Sequence, residues 1–313
     1  VLADDRPGNR SQCLGVAEAL ELPFAVKEIA YTALAATPNL LLGDSLLGVT
    51  AETREALRPP LPDLVIAAGR RTARISLALK RQAGHPLFAV QLMDPGGRNR
   101  KFDLIAIPKH DRRPVRANVV ETVGAPHRVT AAVLARERAG WEPRCQGLPK
   151  PWIALLVGGS SGRRKFTAET AQALGSAASR LAALAGGSLL ISTSRRTGAA
   201  AADLFAAIQV PHRGYRWGDG GDNPYLGFLA VADAIVVTGD SMSMCSEACA
   251  GSAPVYIFAP PGLASDKHTR LHQDLFALGL ARPFGEALDP WSHPPWNPAA
   301  TVAAEIRRRL QLA

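Results

Sequence analysis

No stretch of this 313-residue chain approaches the run of ~20 apolar residues that a membrane-spanning helix needs, so no transmembrane helix is expected. Cysteine is scarce: Cys13, Cys145, Cys245 and Cys249 form no CxxC pair and have no metal-ligand spacing with histidine. That excludes a zinc module and a disulfide framework, and it fits buried thiols in a reducing compartment. Aromatic residues make up only 6%, which argues against an aromatic-rich β-sandwich. The chain has neither GxGxxG nor a Walker sequence, so the dinucleotide and P-loop fingerprints are missing. It also lacks zinc-finger spacing and an RNA-binding aromatic motif, and its basic residues are dispersed, so nucleic acid is not an expected partner. The chain starts at Val1 without a methionine, which leaves an upstream or targeting segment open.

What the chain does have is 47% hydrophobic content, rich in Ala, Leu, Val and Gly, and a net charge of +9 from 36 Lys and Arg against 27 Asp and Glu. Helices packed closely on parallel strands suit the first property. An anionic ligand or surface suits the second, whether nucleotide phosphate or acidic lipid headgroup. Arg307, Arg308 and Arg309 close the helix predicted over 299–310; they complement its dipole or meet anionic lipid. The expected location is cytoplasmic, with peripheral attachment to the inner membrane face as a further option.

The chain is organised around Ala232 to Phe258, where strand, loop, short helix and strand follow without hairpin chemistry. Such a unit places a helix N-terminus at the carboxyl edge of a parallel sheet, where anions bind. Ser241 and Ser243 fall at that N-terminus as caps or anion donors. Glu247 lies further along the same helix, where a carboxylate opposes the dipole; it is either a solvated surface group or an acceptor for sugar hydroxyls.

Elsewhere strands are predicted at Phe24–Ile29, Asp63–Ala68, Pro86–Gln91, Asp103–Ile107, Asn118–Thr122, Trp152–Val157 and Ser188–Ser192, with helices between most of them. The stretch 37–60 reads as irregular or helical, 210–225 as a loop, and 138–151 as a linker between domains. Domains are therefore expected at 1–145 and 146–298, with a C-terminal helix at 299–313 that packs back on the first. A strand followed by Arg-Arg-Thr and an Ala-rich helix occurs at 63–83 and again at 188–202, so the two halves read as similar α/β units. The paired arginines, Arg70 with Arg71 and Arg195 with Arg196, suit phosphate through the planar guanidinium fork. Gly158, Gly159, Ser160, Ser161 and Gly162 form either a diphosphate-binding loop or a tight turn. After the first strand, Asp4 and Asp5 are candidate catalytic base or substrate clamp, or else turn and cap residues. Lys267, Arg270 and His272 cluster beyond a strand end, either near a sugar or phosphate or as a solvated helix start. His268 and His272 have i, i+4 spacing but no third ligand, so no metal is expected.

The motifs DDRPGNRSQCLGVAEAL at 4–20, GRRT at 69–72, GGSSGR at 158–163, TSRRT at 193–197, NPYLGFLAVADAIVVTGDSMSMCSEAC at 223–249 and GLARPF at 279–284 resemble those of the "elongated mitochondria" family. It comprises a plant mitochondrial-fission factor and many bacterial proteins, and the Ala, Gly and Arg richness resembles a bacterial member. The family is more distantly similar to GT-B glycosyltransferases, particularly the enzyme acting on the lipid-linked peptidoglycan precursor.

The resemblance implies two Rossmann-like domains with doubly wound parallel sheets facing a central cleft. It implies a nucleotide-diphosphate sugar as donor, with Gly158 to Gly162 at the diphosphate and Glu247 on the ribose; Ser241, Ser243, Arg195, Arg196 and Lys267 are expected to join them from their own positions, Lys267-His268 standing where that enzyme has two glutamines. The chain departs from that enzyme at Asp4 to Asn9, which replace a Gly-rich loop with a histidine; from their own positions Asp4 and Asp5 are expected to be catalytic, and Arg6, Asn9 and Arg70 to face the acceptor, in a glycosyl transfer that uses no metal or other cofactor. A non-catalytic adaptor that recruits a protein partner is the alternative. A short-chain epimerase is not supported, since none of Tyr31, Tyr215, Tyr225 or Tyr256 has a lysine four residues on.

Overall fold

The computed structural model describes residues 1–37, 39–97 and 99–312. Pro38, inside the stretch read as irregular or helical, and Ala313, at the end of the C-terminal segment, lie outside them. The chain divides into two compact units, Val1–Arg128 with Pro298–Ala313, and Val129–Asn297.

In the first unit β1 (Leu2–Ala3), β2 (Lys27–Glu28), β3 (Leu64–Ala68), β4 (Phe88–Leu92), β5 (Leu104–Pro108) and β6 (Val119–Thr122) form one parallel sheet in the order β2-β1-β3-β4-β5-β6. Helices α1 (Pro7–Ala19), α2 (Asn39–Leu42), α3 (Ala51–Ala56) and α4 (Arg70–Gln82) accompany it. Strand alternation sorts the side chains between two cores. Val65 and Ala67 join Ile75 and Leu79 of α4, whereas Ile66 and Ala68 join Val16 and Ala17 of α1. Burial on both faces explains why these strands read as continuous apolar runs.

The second unit contains α5 (Ala131–Cys145), β7 (Trp152–Val157), α6 (Ala168–Leu184), β8 (Ser188–Thr193), α7 (Ala200–Ala206), β9 (His212–Tyr215), α8 (Tyr225–Val231), β10 (Ala234–Thr238), α9 (Met242–Ala248), β11 (Val255–Phe258), α10 (Asp266–Ala277) and β12 (Arg282–Pro283). Its parallel sheet runs β12-β11-β10-β7-β8-β9. Ile153, Leu155 and Val157 pack with Leu174, Ala178 and Leu181 of α6 on one face. The last helix, α11 (Pro298–Leu310), adds Val302 and Ile306 to the core that α1 shares with β3.

Two parallel sheets, each flanked by helices, make the doubly wound GT-B-type architecture. In each sheet the strand order reverses once, between β1 and β3 and between β7 and β10. The crevice beyond the carboxyl ends at such a reversal is where open α/β sheets bind ligands.

Three local readings change. The stretch 138–151 is not a linker throughout, because its first eight residues belong to α5. Thr130 caps that helix by accepting the Val133 N–H, and Trp141 packs edge-on against Phe228 of α8 with ring centroids 5.6 Å apart. Val210 to Tyr215, read as a loop, contains β9, and β12 was not foreseen. The strand expected over Phe24–Ile29 shortens to Lys27–Glu28.

Candidate functional site

At the reversal in the second unit, the loop after β7 meets the loop after β10. The Gly158 N–H donates to Thr238 Oγ1 at 2.8 Å, and the Gly159 N–H to Asp240 Oδ2 at 2.9 Å. The Ser160 N–H donates to the Arg196 carbonyl and the Ser161 N–H to the Arg164 carbonyl, both at 3.0 Å. The first four backbone donors of GGSSG are thus used within the protein, and the loop does not offer them to a ligand. Asp240, whose side chain is fully enclosed, also pairs with Arg196 Nη1 at 2.7 Å. Arg196 therefore neutralises a buried carboxylate and braces the loop carbonyls of Gly159 and Ser160. Arg195 beside it is exposed. Asp240 was legible only as part of a turn; its role follows from two loops meeting.

Positive charge gathers one step along. Ser161, Arg163, Arg164, Lys165, Gly262, Ser265 and His268 line a cavity of about 600 Å³. Arg163 and Lys165 are exposed and have no ion-pair partner among the described residues, while Arg164 reaches the Gly262 carbonyl at 3.4 Å. No carboxylate lines the cavity, which makes it a place for an anion. A second cavity, of about 570 Å³ along β11 and α10, is bordered by Phe258, Phe276 and Phe284 and by no Lys, Arg, Asp or Glu. It has no means of neutralising a diphosphate.

His268 and His272 sit one turn apart on α10. His268 Nδ1 meets Ser265 Oγ at 2.6 Å in a capping box that starts the helix. Burial lowers the His268 pKa, opposed by Asp240 and assisted by Arg196. His272 Nε2 donates to the Gly239 carbonyl at 3.0 Å, and burial pushes its pKa down to about 4, against the pull of that bond. A histidine held neutral binds fewer protons folded than unfolded. The associated stability is therefore present above the ordinary value of about 6.5 and lost as pH falls through about 4. His272→Gln, which keeps an amide donor but does not titrate, is expected to remove up to roughly 3 kcal/mol of this acid sensitivity. Thermal denaturation between pH 7 and 4 measures it, and an unchanged acid slope would rule His272 out as the cause.

On α9, Ser241 is the N-cap and accepts the Met244 N–H at 3.4 Å; Ser243 lies half-buried in the first turn. Glu247 is half-buried, and its Oε2 accepts the Tyr225 hydroxyl at 2.6 Å. Burial raises the Glu247 carboxyl to about 7, while the tyrosine bond pulls it down. Ser241 adjoins the glycine bend through Asp240. Ser241, Ser243, Glu247 and the exposed Lys267 do not line the cationic cavity.

The first unit repeats the arrangement. Asp4, also buried, accepts the Arg6 N–H at 3.2 Å and Asn9 Nδ2 at 3.0 Å, and faces Arg71 at 3.6 Å. Arg71 also pairs with the exposed Asp5, and its guanidinium stacks 4.3 Å above the Tyr31 ring. Arg70 is exposed at the start of α4. The two Arg-Arg-Thr echoes thus share a geometry. The second arginine, Arg71 or Arg196, ties down a buried aspartate that follows another strand of its sheet: β1, next to β3, in the first unit, and β10, separated from β8 by β7, in the second. The threonine hydroxyl, of Thr72 or Thr197, bonds carbonyls at a strand end. These bonds occupy Asp4 structurally and leave Asp5 as the carboxylate open to solvent. Among the described residues, no group of three or more His, Cys, Asp or Glu could hold a metal ion.

The family model for mitochondrial fission ELM1 proteins matches residues 7–310. Mitochondrial fission protein ELM1 of Arabidopsis thaliana is 30% identical, with 86% of this chain and 69% of that protein covered. An uncharacterised protein of Rickettsia prowazekii is also 30% identical, covering 100% of this chain and 98% of that protein. Among solved structures, UDP-GlcNAc 2-epimerase of Methanocaldococcus jannaschii has a TM-score of 0.58 at 12% identity, covering 100% and 99% of the two chains. The Neisseria meningitidis 2-epimerase bound to UDP-GlcNAc has a TM-score of 0.51 at 12% identity, covering 99% and 91%. These likenesses establish a fold shared with nucleotide-sugar enzymes. They also narrow what the missing motifs bear on: lacking GxGxxG and Tyr-x-x-x-Lys gives no support to a short-chain epimerase and says nothing of epimerases of this fold. Matched by its model over nearly all its length, the chain belongs to the mitochondrial fission ELM1 family.

Proposed function

We propose that the protein binds a nucleotide-diphosphate sugar at the carboxyl edge of the Val129–Asn297 sheet and transfers the glycosyl group to an acceptor. The observation that carries this reading is the cavity in which Arg163, Arg164, Lys165 and His268 converge with two serine hydroxyls and no carboxylate, beside a strand-order reversal. In this assignment the diphosphate rests on those side chains rather than on the glycine-loop N–H groups, with Arg195 and Lys267 adding charge nearby. Glu247 accepts a ribose hydroxyl, and Ser241 and Ser243 line the approach. Cations at the diphosphate would stabilise the charge that develops on a leaving nucleotide. On the Val1–Arg128 unit taken by itself, Arg6, Asn9 and Arg70 are the proposed acceptor residues and Asp5 the proposed base. That solved structures of the same fold are bound to UDP-GlcNAc supports the choice of ligand class.

Isothermal titration with UDP-, GDP-, ADP- and TDP-sugars tests the proposal. One of these is expected to bind, and the double variant Arg163→Gln/Lys165→Gln to bind it roughly a hundredfold more weakly, about tenfold for each charge-assisted hydrogen bond removed. No binding by the wild type, or undiminished binding by the double variant, rejects it.

A further inference from the structure

The Glu247 carboxylate is held asymmetrically. Oε2 accepts the Tyr225 hydroxyl at 2.6 Å, whereas Oε1 has no hydrogen-bond partner among the described residues. The tyrosine is itself firmly placed. It opens α8, its N–H donates to Asn223 Oδ1 at 3.0 Å, and the Phe228 N–H closes the first turn on the Pro224 carbonyl at 2.7 Å. One turn of helix is clamped to α5 at Gly227, where a Cβ would collide with the Trp141 ring, and by the contact of Phe228 with that same ring. Tyr225 thus approaches from α8 a carboxylate carried on α9. Tyr225 is the titratable group that faces Glu247, and Tyr225 in turn faces the buried Cys245 thiol, also on α9.

We propose that Tyr225 is a positioning residue: its hydroxyl, bonded to Oε2, holds the Glu247 carboxylate in one rotamer so that Oε1 accepts a hydroxyl of a ribonucleotide. This rests on the nucleotide reading of the site. Without the tyrosine the half-buried carboxylate has no donor to stabilise its charge, so it holds its proton to higher pH and accepts a ligand hydroxyl poorly near neutrality. Glu247 already titrates at about 7 because of burial, so the effect falls in an accessible range.

The test measures dissociation constants of UDP, GDP and ADP, and of their 2′-deoxy forms, for wild type, Tyr225→Phe and Glu247→Gln between pH 7 and 9. The expected result is that wild type prefers a ribonucleotide to its deoxy form. A one-unit rise in the Glu247 pKa would make Tyr225→Phe about fivefold weaker at pH 7, narrowing to less than about 1.5-fold at pH 9. Glu247→Gln, which cannot ionise, is expected to be weak at every pH. Equal binding by Tyr225→Phe, or a deficit of constant size across the range as a merely structural role would give, overturns the inference while the nucleotide reading stands. Failure of wild type to bind any of the three ribonucleotides overturns both.

Discussion

Substituting alanine for Gly159 is expected to destabilise the Val129–Asn297 unit by more than about 4 kcal/mol and to lower its melting temperature by roughly 10 °C. Gly159 sits at φ +132°, a conformation that side chains rarely adopt, and a Cβ there would run into the Arg196 carbonyl and the Thr197 nitrogen. Both obstacles are backbone atoms fixed by the Ser160 to Arg196 hydrogen bond and by the Thr197 hydroxyl on Val157 and Gly158. Neither can move aside as a flexible side chain would. Gly162, three residues on, makes the internal control: its φ is +59° but nothing lies within 4 Å of a Cβ. Alanine there is expected to cost only about 1 kcal/mol. Thermal melts of the two variants compare them directly, and equal melting temperatures would show that the loop is not packed against Arg196.

The second large effect is expected from Arg196→Met. It removes the cation opposite Asp240, whose carboxylate is 0% exposed, and leaves a buried charge without an ion partner. Breaking such a pair typically costs about 3–5 kcal/mol. Arg196 is 33% exposed, which puts the expected loss near the lower figure, about 3 kcal/mol. Asp240→Asn in the same chain should recover at least half of that, since the amide needs no counter-charge. Urea denaturation of the single and double variants measures both. A single variant within about 0.5 kcal/mol of wild type would mean that Arg196 does not compensate Asp240.

These expectations depend on packing that the sequence discloses unevenly. β7, β10 and β11 are legible because burial makes them uninterrupted apolar runs. β9 and β12 are not, because His212 to Tyr215 and Arg282–Pro283 are short and largely exposed edge strands, made by pairing with β8 and β11 rather than by their own pattern. α5 was obscured by Gly140 and Pro143, both unfavourable to a helix, which tertiary packing of Trp141 overrides. At the site, GGSSG was visible as a glycine bend, yet nothing local says that its donors are used internally, since Thr238 and Asp240 arrive from about 80 residues away. The run Arg163-Arg164-Lys165 directly after the bend was readable as charge. That it faces His268 and Ser265 required the β7 and β11 loops to be brought side by side.

The tie between Arg196 and Asp240 has an evolutionary corollary. The guanidinium that braces the scaffold is a different one from those that line the cationic cavity, so architecture and the proposed recognition are encoded by separate residues. Exchanging Arg163 or Lys165 for other polar side chains leaves the bracing intact. A lineage can therefore change the charge of this cavity by drifting through surface changes, without first crossing an unstable intermediate.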